Sequence, residues 1–85
     1  MSYRLVWLSS ARDAALQILL SQPNRAAIVV AVNRLSSTLQ REGPAAGESR
    51  EVDLRVLFET PLAVEFSVDE LDRAVTISDV WIIKG

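Results

Sequence analysis

Eighty-five residues, 49% of them hydrophobic, make one domain with enough apolar side chains to pack a core, and a net charge of −2 argues against a uniformly basic nucleic-acid binder. The sequence contains no cysteine, which excludes disulfide staples and thiolate chemistry. It contains no histidine either, so the commonest metal ligand and the commonest general base near neutral pH are both missing, and neither metal nor cofactor is expected.

The charge is unevenly placed. Residues 1–41 carry five arginines (4, 12, 25, 34 and 41) against Asp13, a balance of +4, whereas residues 42–85 carry ten acids against Arg50, Arg55, Arg73 and Lys84, a balance of −6. The longest apolar run, Ala26 to Val32, falls far short of the roughly 20 residues that a membrane span requires. The first eight residues lack the small-residue cleavage site of a secretory signal. A soluble, cytoplasmic protein with no membrane contact is the expectation.

Tyr3-Arg-Leu-Val-Trp-Leu8 alternates aromatic and aliphatic residues loosely and reads as a strand. Ser9-Ser10 offers a capping hydroxyl and Asp13 a first-turn carboxylate for a helix over about Ala11 to Ser21. Its apolar stripe is Ala11, Ala14, Ala15, Ile18 and Leu19, widened by Leu16 and Leu20. Pro23 ends it, and Asn24 can cap a second helix reaching about Arg41, with Ile28, Ala31, Val32, Leu35 and Leu39 inward. Ala27–Val32 alone would also suit a buried strand. The continuation through Leu35 and Leu39 without a turn signal selects the helix and leaves Val29 and Val30 off the core stripe.

Glu42-Gly-Pro-Ala-Ala-Gly47 breaks the chain, with Gly43 suited to a helix C-cap. Three strands follow: one over about Ser49–Phe58, one beginning near Leu62 after Glu59-Thr-Pro61, and one over Val75–Ile83 after the polar turn Asp69–Arg73. Val56 and Phe58 share one face of the first; Leu62, Val64, Phe66 and Val68 alternate in the second. The order β-α-α-β-β-β predicts an α+β two-layer sandwich, a helical hairpin packed on one face of a four-stranded antiparallel sheet. Tyr3, Leu5, Trp7, Ile18, Ile28, Leu35, Phe58, Val64 and Phe66 are expected in the core, and Trp81 is likewise read as a packing residue. Periodicity does not fix where the first strand joins the sheet.

Tyr3–Asp13, Gly47-Glu-Ser-Arg50, Arg55-Val-Leu-Phe58, Pro61–Glu70 and Val75–Trp81, in this order of elements, resemble the RelE/ParE toxin superfamily of bacterial type II toxin–antitoxin modules, and most of all its short plasmid-stabilisation proteins. The resemblance covers nearly the whole chain and implies a toxin-like protein whose partner is a cognate antitoxin. RelE-type members cut messenger RNA on the ribosome, which needs several cations around one phosphate and a proton donor or acceptor. The family's penultimate strand usually carries an arginine beside an aromatic where this chain has Leu62-Ala-Val64, and its basic, aromatic tail is here Trp81-Ile-Ile-Lys-Gly85. Arg50, Arg55 and Lys84 are the remaining catalytic candidates. Each has a plainer reading: Arg55 pairing across the sheet with Glu65 or Asp53, Arg50 solvated between Glu48 and Glu51, and Lys84 solvated beside the terminus.

ParE-type members act on DNA gyrase without cutting RNA, so RNA and gyrase both stand as targets under the resemblance. The expectation is a toxin-like component that works through protein–protein binding with a degenerate nuclease site. The alternatives are an active ribosome-dependent endoribonuclease and a repurposed self-associating module. For the partner surface, Leu16, Leu20, Val29, Val30 and Arg34 are the candidate residues, an apolar strip on the outer shoulders of both helices. Arginines 12, 25, 34 and 41 would rim it, suiting an acidic helical partner or, failing that, a second copy of the chain. Asp69, Glu70 and Asp72 are better explained by a hairpin turn than by a metal cluster.

Overall fold

The computed structural model describes residues 2–49 and 53–83. Strand β1 (Arg4–Trp7) leads into helices α1 (Ser9–Ser21) and α2 (Arg25–Glu42), a short 3-10 turn (Gly43–Ala45), and strands β2 (Glu48–Ser49), β3 (Arg55–Glu59), β4 (Leu62–Asp69) and β5 (Ala74–Ile82). The strands form a five-stranded sheet in the order β1-β5-β4-β3-β2. The two-layer α+β arrangement is the expected one. It has one strand more than expected, because the stretch read as a single strand over 49–58 supplies both β2 and β3. It is also mixed rather than antiparallel, because β1 runs parallel to β5. A helical hairpin between β1 and the meander makes this parallel junction reachable.

The helix boundaries follow local chemistry. Asn24 caps α2 as expected, its side chain accepting the Ala27 N–H at 3.1 Å. Gly43 closes α2 with φ +53° and donates its N–H to the Leu39 carbonyl. For α1 the expected cap moves: Leu8 occupies that position without a side-chain bond, Ser9 and Ser10 lie inside the helix, and no acidic residue falls in its first turn. Asp13 is therefore an exposed residue within the helix.

Which face each strand residue takes is fixed by two local devices. First, the turn at Thr60-Pro61 holds Glu59 opposite Leu62, so Leu57 meets Val64 and Phe58 meets Ala63. With side chains alternating at period two, an even-numbered residue of β3 shares a face with an odd-numbered residue of β4. Phe58 cannot join Val64 and Phe66 in the core. It stands 45% exposed on the opposite face, and Leu57 takes its expected place. Second, the β4–β5 ladder slips by one residue: Glu65 faces Asp79 but Phe66 faces Ile77. Ser78 is the extra residue of this bulge, and its hydroxyl reaches the Glu65 carbonyl at 3.2 Å. The slip lets Val75 and Ile77 point inward before it and Val80 after it, all buried. It also turns Trp81 outward, to 37% exposure, where unbroken alternation from Val75 would have buried it.

The buried set among the described residues is wholly apolar, with Phe66, Leu35, Leu39, Leu62 and Ile77 its largest fully enclosed side chains. Ile28, Val64 and Tyr3 join it as expected, while Leu5, Trp7 and Ile18 pack against it partly buried.

Tyr3 locks β1 to the rest. Its N–H donates to the Gln40 carbonyl at 2.7 Å, and its ring lies so close to Gly43 that a Cβ there would sit 2.3 Å from a ring carbon. Its hydroxyl donates to the Glu70 carboxylate at 2.9 Å, and the Arg73 guanidinium lies 5.3 Å from the ring centroid. The bond to Glu70 raises the phenol above its ordinary value of 10.0; burial and the charge of Glu70 add to this and Arg73 opposes it.

Two predictions follow from the packing. Phe66→Ala, a large-to-small change at a fully enclosed site, should cost about 3–5 kcal/mol of stability in chemical denaturation; a midpoint that barely moves would remove Phe66 from the core. Tyr3 is the sole tyrosine, so ultraviolet titration reads it directly. Its midpoint should lie above that of the unfolded chain. A raised folded value means the associated stability is complete below the unfolded pKa and is lost as pH rises through the folded one. Tyr3→Phe should therefore be less sensitive to alkali than the wild type, as judged by denaturation midpoints across that window.

Candidate functional site

Helical geometry separates the two candidate valines of α2. Consecutive residues are about 100° apart on a helix, so Val29 and Val30 look in different directions. Val29 shares its side of α2 with Asn33 one turn on, and the corresponding side of α1 presents Arg12 and Leu16, also one turn apart. These surfaces meet across a groove of about 620 Å³ that includes Leu16 and Val29 with Leu19, Ile28 and Val32 at its base. Leu20 and Val30 are exposed outside it. Arg34 lies on the other flank of α2, 3.9 Å from the Glu59 carboxylate at the end of β3. Of the expected partner residues the structure thus brings Leu16 and Val29 together and leaves Leu20, Val30 and Arg34 on other surfaces. Of the four arginines expected to rim the strip, Arg12 lines the groove and Arg41 pairs with neighbouring Glu42.

The third wall is β1, which sequence reasoning did not assign to the site. Leu5, Val6 and Trp7 all line the groove. Successive strand side chains point to opposite faces, so a groove touching all three reaches the edge of the strand. That edge is open among the described residues, where β5 is the only neighbour of β1 in the sheet. The Arg4 and Leu8 amides donate inward, to the carbonyls of Arg73 and Ile77. By alternation the amides of Leu5 and Trp7 point the other way, toward the groove. The site therefore combines an apolar trough with exposed backbone hydrogen-bonding groups, which suits a chain segment better than a small polar molecule.

The catalytic candidates are arranged differently. Arg50 and Lys84 lie outside the described residues. Arg55 is engaged with backbone: Nε donates to the Ala46 carbonyl at 3.0 Å and a terminal nitrogen to the Gly47 carbonyl at 3.1 Å. This replaces the expected pairing with Glu65 or Asp53 and gives Arg55 a bracing role between β3 and the loop before β2. Glu65 instead receives the Ser78 hydroxyl at 3.3 Å. The hydroxyl of Tyr3, the sole tyrosine, is engaged with the Glu70 carboxylate. Asp69 accepts the Leu71 and Asp72 amides, as a turn carboxylate does, and no cluster of three or more metal-ligating side chains occurs among the described residues. No helix among them is long and apolar enough to cross a membrane.

No protein-family model and no curated protein matches the sequence. Solved structures do match. A chain of the toxin–antitoxin complex RelBE2 from Mycobacterium tuberculosis superposes with a TM-score of 0.77 at 18% identity, covering 96% of this chain and 99% of that one. A chain of the chromosomal ParDE system from P. aeruginosa gives 0.72 at 17% identity, with 98% of each chain covered. The YoeB dimer from Staphylococcus aureus gives 0.68 at 13% identity, covering 100% of this chain and 99% of that one. Coverage of this kind spans nearly the whole chain, which shares the fold of these toxin–antitoxin structures.

Proposed function

We propose that the protein is the toxin-like component of a type II toxin–antitoxin pair and works chiefly by binding protein. The observation that carries this reading is the groove between α1, α2 and the open edge of β1. It offers apolar side chains and outward backbone amides to a segment of a partner, and Arg12 at its wall favours an acidic partner. The structural neighbours include the RelBE2 toxin–antitoxin complex and the ParDE system, which supports an antitoxin as that partner. The YoeB neighbour is a dimer, and a second copy of the chain is the alternative occupant.

The same reading holds that ribonuclease chemistry is degenerate. Stabilising a dianionic phosphate transition state requires converging cations. Arg55 commits two of its five N–H donors to backbone carbonyls, which fixes it in a bracing position, and Ala63 stands where the resemblance implies an arginine.

Co-expression with the product of the adjacent reading frame tests the partner. The two proteins should co-purify, and Leu16→Glu/Val29→Glu should abolish this while Leu20→Glu/Val30→Glu, outside the groove, should not. Retention of the partner by the first pair, with folding verified by circular dichroism, would remove the groove from the proposal. In a ribosome-dependent cleavage assay the wild type should show no codon-dependent cuts; losing a positioned acid or base alone typically costs about 10²- to 10⁴-fold. Cleavage that disappears in Arg55→Ala would overturn the degenerate-site reading.

A further inference from the structure

The sheet face turned away from the helices presents a second surface, independent of the groove. Strand register sets Phe58, Ala63 and Trp81 side by side in one row across β3, β4 and β5. Ala63 is completely enclosed while Phe58 and Trp81 are 45% and 37% exposed, so two aromatic side chains stand beside a small residue. The next row on the same face reads Glu48, Val56, Glu65 and Asp79 across β2 to β5. Glu65 and Asp79 are directly opposed, which is unfavourable for two carboxylates, and the ion pairs of the described residues, Arg34–Glu59 and Arg41–Glu42, involve none of the three acids. Their polar contacts are local: Glu65 receives the Ser78 hydroxyl and Asp79 accepts the Val80 amide.

An indole two residues along the strand from a carboxylate, on the same face, places a π surface about 7 Å from an anion. A guanidinium satisfies both, stacking its plane on the ring while its N–H fork donates to carboxylate oxygens; an ammonium supplies the charge without the plane. Phosphate is repelled by the same row. We propose that this face docks an arginine-rich segment of a partner protein, with Trp81 as the stacking platform and Glu48, Glu65 and Asp79 as the counter-charges.

Nona-arginine and nona-lysine peptides, matched in charge, test the proposal on the full chain. Peptide anisotropy should show nona-arginine binding about 2- to 5-fold tighter than nona-lysine, the range of one cation–π contact at an exposed site. In nitrogen–proton correlation spectra nona-arginine should shift the indole signal of Trp81 and leave that of Trp7, in the groove, in place. Trp81→Leu should erase the preference for arginine. Asp79→Asn, at an exposed position and still able to accept the Val80 amide, should weaken nona-arginine binding and carries the test if Trp81→Leu does not fold. Equal affinity for the two peptides, movement of Trp7 instead of Trp81, or a Trp81 shift with single-stranded RNA but not with nona-arginine would each overturn it.

Discussion

The pairing of β4 with β5 is the constraint on which the remaining architecture rests. These two strands form the longest ladder of the sheet, and the one-residue slip at Ser78 divides it into two halves with opposite parity. On one side of the slip Val75 and Ile77 meet the core, and on the other Val80 does so. Without the slip, the apolar residues of β5 would be split between the two faces, and either Val80 or Ile77 would be turned away from the helices. A single backbone irregularity therefore decides both how α1 and α2 are supported and what the opposite face displays.

At the parallel end the sheet depends on a different kind of contact. Strand β1 is short, and it is held by β5 along one edge and by Tyr3 at its start, where ring, amide and hydroxyl each find a separate partner in Gly43, Gln40 and Glu70. The close approach of the ring requires glycine at position 43, both for its positive φ and for the missing Cβ. The opposite edge of β1 is fastened at Tyr3, whose amide donates to Gln40, and beyond that residue it opens onto the groove at Leu5 and Trp7. On that outer edge the fastening lies at the start of the strand and its availability to a partner further along it.

Much of this was legible from the residues. Asn24, Gly43 and the inward stripe of α2 were visible because capping and helical periodicity are local and leave their marks in neighbouring residues. The misassigned aromatics, Phe58 and Trp81, have a common cause. Their faces depend on registers set elsewhere, by the span of the Thr60-Pro61 turn and by the bulge at Ser78, and an alternating run carries no label for which of its faces is the inner one. The parallel placement of β1 is likewise non-local, and the groove could be anticipated only through Leu16 and Val29, since the edge that completes it exists only once the strand order is known. Arg55 looked like a spare cation because sequence shows a charge without showing the backbone carbonyls that hold its side chain in place.

The enclosure of Ala63 also bears on which side chains this surface can hold. It lies in the strand where the resemblance implies an arginine, yet neighbouring residues leave its side chain no exposed surface, while Phe58 and Trp81 flank it in register. A long side chain there would need room that the enclosed site lacks, and a cation would stand on the same face as Glu65, two residues along the strand. The face is therefore closed to bulk at its centre, while its exposed aromatic margins, Phe58 and Trp81, have room to differ in size.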